Sequence, residues 1–206
     1  MKKFHLIIIF AFISLSAAGQ KGYIEIAPFH NSWAINELFK IKFSKESKFG
    51  YTNVTQFSAP YSDISDFHIL MINDLSYALP KSFGITLGAV YTLENSFRPS
   101  LGLQFLHISQ KWQIMLSSKF VIWEETELLF LSKIQYATPL TERLDLVFRS
   151  DNIHKFNKSG HSISKFRLRA GLGKKKNQVG LATDLLVKGS DLKLESSFGV
   201  FYKRTF

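Results

Sequence analysis

Residues 82–93 read SFGITLGAVYTL, a stretch in which two kinds of side chain alternate. The odd positions are apolar or aromatic, and the even positions are small or polar apart from Val90. The residues of the apolar face are Phe83, Ile85, Leu87, Ala89, Tyr91 and Leu93. A period of two is that of a β-strand, because successive side chains of a strand point to opposite faces. The stretch therefore predicts a strand with one apolar face and one small or polar face.

The same alternation continues on both sides of this stretch. It is clearest in 111–122, 141–150, 164–173 and 192–206. Turn residues such as Pro80 and Pro139 separate the segments. Together they predict twelve strands, at 22–29, 36–44, 48–58, 66–79, 82–93, 97–109, 111–122, 126–138, 141–151, 162–173, 176–188 and 192–206.

The composition excludes several classes of protein. The chain has 206 residues, of which 46% are hydrophobic and 15% aromatic, so it has too much apolar surface to remain disordered. It contains no cysteine, which excludes disulfides, zinc ribbons, a cysteine nucleophile and a lipidated N-terminal cysteine. No linker or change in composition divides it into two domains.

The N-terminal segment has the pattern of a secretory signal peptide. Lys2 and Lys3 precede the apolar run 6–15, and small residues at 16–19 follow it. The run is about half the length of a membrane-spanning helix, which needs about 20 apolar residues. We therefore expect a signal peptide over 1–19 and a single β-barrel over 20–206.

The polar face is expected to be the inside of the barrel. Lys, Arg and Gly recur on that face in many strands, and the chain ends on Phe206 in phase with the apolar face. Aromatic residues stand at strand ends on the apolar face, as in interfacial girdles. They are Phe43, Tyr77, Phe83, Tyr91, Phe97, Trp112 and Tyr136. The alternative is a soluble all-β domain, in which the apolar face would form the core.

Chain length favours a transmembrane antiparallel up-and-down barrel of twelve strands, with ten or fourteen as alternatives. A spanning strand needs about 9–11 residues, so sixteen strands leave too few residues for turns and eight require long loops. The short connections 45–47, 80–81, 110, 139–140 and 174–175 follow even strands. The longer connections 30–35, 59–65 and 152–161 follow odd strands, as expected when both termini are periplasmic.

In this pattern of strands, the chain resembles bacterial outer-membrane β-barrel proteins. The most specific part is the tail 197–206, which is similar to the terminal signal that the barrel-assembly machinery recognises. Gly199, Tyr202 and Phe206 match that signal, whereas Arg204 occupies an apolar position. The resemblance implies the outer membrane of a diderm bacterium as the location. It also implies membrane lipid, lipopolysaccharide and the assembly machinery as partners.

The inward face predicts a basic lumen. Its basic residues are Lys40, Lys42, Arg98, Lys111, Lys119, Lys133, Arg143, Arg149, Lys165, Arg167, Arg169, Lys193 and Lys203. The opposing acids are Glu25, Asp74, Glu127, Asp145, Asp184 and Glu195. Rings of Lys and Arg select anions, which predicts a small pore or transport component for anionic or polar solutes. In the alternative, the charges pair and fill a closed structural or surface-interaction barrel. Neither interpretation involves nucleic acid or a cofactor.

One short motif suggests an enzyme. His107 and Ser109 are two residues apart on one strand, and a hydroxyl activated by imidazole is the centre of acyl hydrolysis. The pair resembles the His-x-Ser-Asn motif of outer-membrane phospholipases and lipid A deacylases, although Gln110 stands where that family has Asn. The resemblance implies Ser109 as nucleophile and His107 as base, without an evident third member of a triad.

Loop residues offer weaker candidates for metal binding. Carboxylates at the outer rim are suited to Ca²⁺, and paired histidines are suited to a transition metal. The residues concerned are Asp63, Asp66, Glu124, Glu125, Glu127, His154 and His161. Their spacing is not diagnostic of either ion, so the sequence predicts no metal site.

Overall fold

The computed structural model describes residues 21–122, 126–189 and 192–206. Its strands are β1 (Lys21–Pro28), β2 (Ser32–Lys42), β3 (Phe49–Pro60), β4 (His68–Ala78), β5 (Phe83–Thr92), β6 (Ser96–Ile108), β7 (Trp112–Val121), β8 (Glu127–Thr141), β9 (Leu144–Asn157), β10 (Gly160–Lys174), β11 (Asn177–Lys188) and β12 (Lys193–Thr205). One 3-10 turn, Pro80–Ser82, precedes β5. The predicted signal peptide 1–19 lies outside the described residues.

The strands form one closed sheet. Each strand pairs antiparallel with its neighbours in the chain, and β1 pairs with β12 to close the barrel. The predicted fold class, a twelve-stranded antiparallel up-and-down barrel, is therefore confirmed. An even number of strands places Lys21 and Phe206 at the same end, which we call the terminal end. The opposite end, where the odd strands finish, is the far end.

The outer surface is apolar. Large side chains such as Leu87, Leu181 and Leu194 are each more than 60% exposed, whereas inward neighbours such as Thr86 and Ala182 are buried. Aromatic pairs lie on the outer surface near both ends of the barrel. Trp112–Tyr136, Phe83–Phe105 and Phe49–Tyr77 lie near the terminal end, and Tyr91–Phe97 and Trp33–Phe57 near the far end. Among the described residues, no helix is long and apolar enough to cross a bilayer.

Two predicted loops are largely strand. The prediction of a connection over 30–35 is wrong because β2 already begins at Ser32. The prediction of a loop over 152–161 is wrong because β9 and β10 extend into it and leave only 158–159 as the turn. The longest connections are then 61–67 at the far end and 43–48 at the terminal end. Loop length consequently differs less between the two ends than the sequence indicated.

The seam between first and last strands depends on a glycine. Phe29 and Gly199 form an isolated bridge beyond the ladder, and a Cβ at Gly199 would lie 2.0 Å from the Pro28 carbonyl oxygen. At the other end of the seam, the Phe206 N–H donates to the Gly22 carbonyl at 3.0 Å, and its ring stacks on Phe39. Two of the three predicted assembly-signal residues, Gly199 and Phe206, thus also hold the barrel closed.

Candidate functional site

The candidate site is the barrel interior, where basic side chains outnumber acidic ones. Ten basic residues point inward and are buried or half-buried: Lys40, Arg98, Lys119, Lys133, Arg149, Lys155, Lys165, Arg167, Arg169 and Lys203. Five carboxylates oppose them: Glu25, Asp74, Glu127, Asp151 and Asp184. They face the same space because alternate residues of every strand share a face and the sheet is closed.

Four predicted lumen residues lie elsewhere. Lys42 is exposed at the terminal end of β2, where its ammonium donates to the Lys45 carbonyl oxygen. Arg143 lies in the exposed turn between β8 and β9, and Lys193 is exposed at the start of β12. Lys111 is also an exposed turn residue. Alternation gives the direction of a side chain, but a residue at a strand end meets solvent whichever way it points.

A network of ion pairs, which we call the central network, crosses the middle of the lumen. Glu25, on β1, is fully buried and accepts hydrogen bonds from Arg149 and from Arg169, the latter at 3.1 Å. Arg169 also pairs with Asp184 at 2.8 Å, and Arg149 with Asp151 at 3.1 Å. The partners come from strands on different parts of the wall, so the network ties β1, β9, β10 and β11 together.

Aromatic rings complete the central network. The ammonium groups of Lys133 and Lys203 lie 4.6 Å and 4.4 Å from the centre of the Tyr23 ring. The Arg149 guanidinium lies 5.7 Å from the Phe201 ring, and the Arg169 guanidinium 5.6 Å from Phe29. Cation–π contacts of this kind strengthen where water is excluded. The lumen around Glu25 is therefore packed with side chains.

A second buried pair stands on the opposite wall. The Lys119 ammonium lies 2.7 Å from the Asp74 carboxylate and donates to the Thr86 hydroxyl at 3.0 Å. Glycine makes room for this pair: a Cβ at Gly88 would lie 2.5 Å from Asp74 Oδ1, and one at Gly102 2.9 Å from Lys119 Cγ. The carbonyl oxygens of the neighbouring strands are closer still, at 2.0 Å (Asn73) for Gly88 and 2.4 Å (Ser118) for Gly102, so the adjacent backbone and the charged side chains together exclude a larger residue at both positions.

Toward the far end the interior opens into a cavity of about 260 Å³. Its walls include Val90, Val121, Leu129 and Ile153, which belong to one buried apolar cluster. Charged residues line it as well: Glu94, Arg98, Glu127, Lys155, Lys165, Arg167 and Lys188. Because His68, Glu94 and Lys188 stand at the far ends of their strands or in a far-end turn, the cavity reaches that rim.

Within the cavity, Glu127 forms ion pairs with two basic side chains. Its carboxylate lies 2.5 Å from Arg98 Nη1 and 2.8 Å from Lys155 Nζ. Lys165 is held more loosely, with its ammonium 3.8 Å from Asp184. The cavity therefore combines apolar walls with an excess of positive charge.

The residues predicted from the sequence to face the lumen do not include two that do so. Asp151 and Lys155 point inward from β9. Lys155 falls in 152–161, which was interpreted as a loop, whereas Asp151 ends the predicted strand 141–151 but is not among the predicted opposing acids. Two predicted opposing acids stand at exposed positions instead: Asp145 near the start of β9, and Glu195, which pairs with Lys188 at 3.1 Å. Continuing the alternation past Asp151 would have placed Lys155 in the lumen.

The structure does not join His107 to Ser109. Both are exposed near the terminal end, and Ser109 Oγ accepts the Trp112 N–H at 3.1 Å, as in a turn. No hydrogen bond connects the two side chains within the part of the chain described. The geometry thus gives Ser109 a turn-stabilising role.

The candidate metal-binding residues lie in different parts of the molecule. Asp63 accepts hydrogen bonds from the amide and hydroxyl of Ser65, which hold the pKa of that carboxyl below its usual range. Glu124 and Glu125 lie outside the described residues, and Glu127 belongs to the lumen. Among the described residues no group of three or more His, Cys, Asp or Glu side chains forms a metal centre. His154 and His161, in contrast, converge on one serine.

Known proteins resemble the chain only distantly, and in structure rather than in sequence. No family model matches the sequence, and no curated protein matches it. Among solved structures, the KdgM porin is 12% identical over 91% of this chain and 99% of its own, with a TM-score of 0.48. LpxR from Salmonella typhimurium is 7% identical over 90% and 100%, with a TM-score of 0.49. The NanC porin is 7% identical over 91% and 98%, with a TM-score of 0.48.

Proposed function

We propose that the chain is an outer-membrane barrel that takes small anionic solutes into its basic lumen from the far end. The observation that carries this proposal is the interior charge, with ten inward cations against five carboxylates. A concave, low-dielectric space lined with one sign of charge concentrates ions of the opposite sign. The cavity of about 260 Å³ suits a small solute.

The outer surface supports the membrane location. Apolar side chains cover the outside of the barrel, and aromatic pairs lie near both of its ends. An apolar band flanked by aromatic girdles, around a polar interior, is typical of barrels that span a bilayer. In the orientation we propose, the termini are periplasmic and the far end faces the outside.

The central network separates the cavity from the terminal end. Glu25, Arg149 and Arg169 are at most 4% exposed, so solute passage requires this network to rearrange. The same observation favours a second function, a closed barrel that binds its solute without passing it. The two functions share the cavity and differ only in whether the network opens.

Planar-bilayer recordings test the proposal. We expect openings whose reversal potential in a KCl gradient indicates chloride preference, because entering ions meet net positive charge. Lys165→Gln, in the cavity, should reduce that preference, whereas Lys42→Gln, exposed at the terminal end, should leave it unchanged. Cation preference would contradict the electrostatic argument. If neither the wild type nor Glu25→Gln conducts, the closed barrel replaces the transport function.

A further inference from the structure

Three polar side chains converge on the outer surface near the far end. Ser164, on β10, lies directly across from His154 on β9, and His154 Nδ1 is 2.8 Å from Ser164 Oγ. His161 Nε2 lies 2.8 Å from the same oxygen. The hydroxyl is therefore held between two imidazoles, on the face that elsewhere carries apolar side chains.

A β-bulge creates this arrangement. Residues three apart on a regular strand point to opposite faces, so His161 and Ser164 would be separated. The register with β9 shifts between His161 and Ile163, and this extra residue turns His161 to the outer face. Bulges re-aim side chains in this way and are common beside active sites.

The hydrogen bonds fix the proton positions for neutral imidazoles. His161 Nδ1 lies 3.2 Å from the Gly189 carbonyl oxygen, which can only accept, so this nitrogen carries the proton. Nε2 of His161 must then accept the single Ser164 proton. His154 Nδ1 in turn donates to Ser164 Oγ. The result is a serine aimed at a base whose tautomer is set by a backbone carbonyl.

We propose that Ser164 is the nucleophile of an ester-hydrolysing site on the outer surface, with His161 as its general base. Ser164 Oγ bonds to the ester carbonyl carbon while its proton passes to His161 Nε2. The carbon–oxygen bond to the alcohol then breaks, and His161 returns the proton to that alcohol. A water molecule then gives a proton to the same nitrogen while its oxygen bonds to the acyl carbon. The bond between that carbon and Ser164 Oγ breaks, the carboxylic acid leaves, and His161 returns the proton to Ser164 Oγ.

The surroundings suit an acyl ester. His154 packs edge-on against Phe166 at 5.1 Å between ring centres and lies 6.1 Å from Phe130, and His161 packs against Phe156 at 5.8 Å. Ser164 is only 6% exposed, so water is largely excluded from the hydroxyl. The position of the site in the membrane rests on the proposed function: in the orientation proposed there, the site lies at the level of the outer leaflet. The chemistry itself does not use the lumen.

The test uses the full chain folded in detergent. An alkyl fluorophosphonate, which reacts with activated serines, should label the wild-type protein, and peptide mass analysis should place the label on Ser164. Hydrolysis of p-nitrophenyl octanoate should be lost in Ser164→Ala. It should fall about 10²–10⁴-fold in His161→Gln, the range typical of a missing general base.

Ser109→Ala is the matched control, because that serine also has a histidine nearby in the sequence, His107, and lies at the opposite end. It should keep full labelling and activity. Each variant is checked for the heat-dependent gel shift of a folded barrel. The labelling of the wild-type protein tests the site even if a variant fails to fold. Absence of a label on Ser164, or equal hydrolysis by wild type and a folded Ser164→Ala, overturns the site. A non-conducting lumen with intact hydrolysis would overturn only the transport function.

Discussion

The two parts of the lumen use their charges differently. In the central network, Glu25 binds two arginines and every member is packed against another side chain or ring. In the far-end cavity, Lys155 and Lys165 are half-buried beside apolar walls and open space. The comparison shows that buried charge can either fix the shape of a barrel or remain available to a solute. The difference lies in how many partners each cation has. Arg149 and Arg169 each contact two carboxylates and an aromatic ring, whereas Arg98 and Lys155 share the single carboxylate of Glu127 and Lys165 lies 3.8 Å from Asp184.

The largest expected effect is that of breaking the central network. Glu25→Gln leaves Arg149 and Arg169 buried with one less negative partner, and removing one member of a buried pair costs about 3–5 kcal/mol. We expect a clearly lower urea midpoint for the folded barrel and a lower temperature of its heat-dependent gel shift. Glu195→Gln serves as control, since its pair with Lys188 is about half exposed. Equal effects of the two substitutions would contradict the structural role of the network.

The Lys119–Asp74 pair tests whether the charge itself is needed. Lys119→Met or Asp74→Leu alone leaves a buried unpaired charge and should destabilise by about 3–5 kcal/mol. The double variant removes both charges and should recover most of that loss, because replacing a buried pair by apolar residues is often neutral. Urea midpoints of the four proteins measure the coupling. If the loss of unfolding free energy in the double variant equals the sum of the two single losses, the two charges do not stabilise each other.

Filling the cavity should affect function more than stability. Leu186 lines the cavity, and Leu186→Trp should reduce conductance or solute binding by occupying that space. Overpacking costs about 1–3 kcal/mol in a full core, so a smaller loss is expected where space exists. Leu181→Trp, exposed on the outside of the same strand, is the control and should leave conductance unchanged. Unaltered conductance in Leu186→Trp would place the pathway elsewhere.

The smallest effect is expected at the far-end rim. Lys188→Gln removes an exposed pair, and such pairs contribute about 0–1 kcal/mol. The urea midpoint should barely change, while the chloride preference should fall slightly because Lys188 lines the cavity. A large loss of stability here would mean that the rim and the central network are not as different as their burial indicates.

The sequence predicted the fold because one rule, alternation, applies to nearly every strand. It failed where polar residues stand on the outer face: Ser150, Asn152 and His154 made the end of β9 resemble a loop. Lys155 was consequently missed as a lumen residue, whereas Asp151, at the end of the predicted strand 141–151, continues the inward alternation of Arg149. The partners within the central network could not be predicted, because they depend on which strands face each other across the barrel.

The outer-surface site was visible only in part. His154 and His161 were singled out as a pair, but nothing in the spacing indicated that Ser164 lies between them. Their convergence requires the bulge after His161, and a bulge leaves no signature in a pattern of polar residues. Conversely, His107 and Ser109 had the expected spacing, yet the hydroxyl of Ser109 is used by a turn.

The seam between β1 and β12 has a consequence for the order of events during folding. Four register pairs, from Tyr23–Thr205 to Ile26–Tyr202, the Phe29–Gly199 bridge and flanking hydrogen bonds join these strands, whereas β11 and β12 share twelve register pairs. Every other strand finds its partner from the adjacent hairpin, but this pairing joins opposite ends of the chain, so it is slow to form. Until it forms, two strand edges offer free N–H and C=O groups to any other chain. Before closure the molecule is thus most prone to pair with other chains. A delay at that step would favour aggregation over a closed barrel.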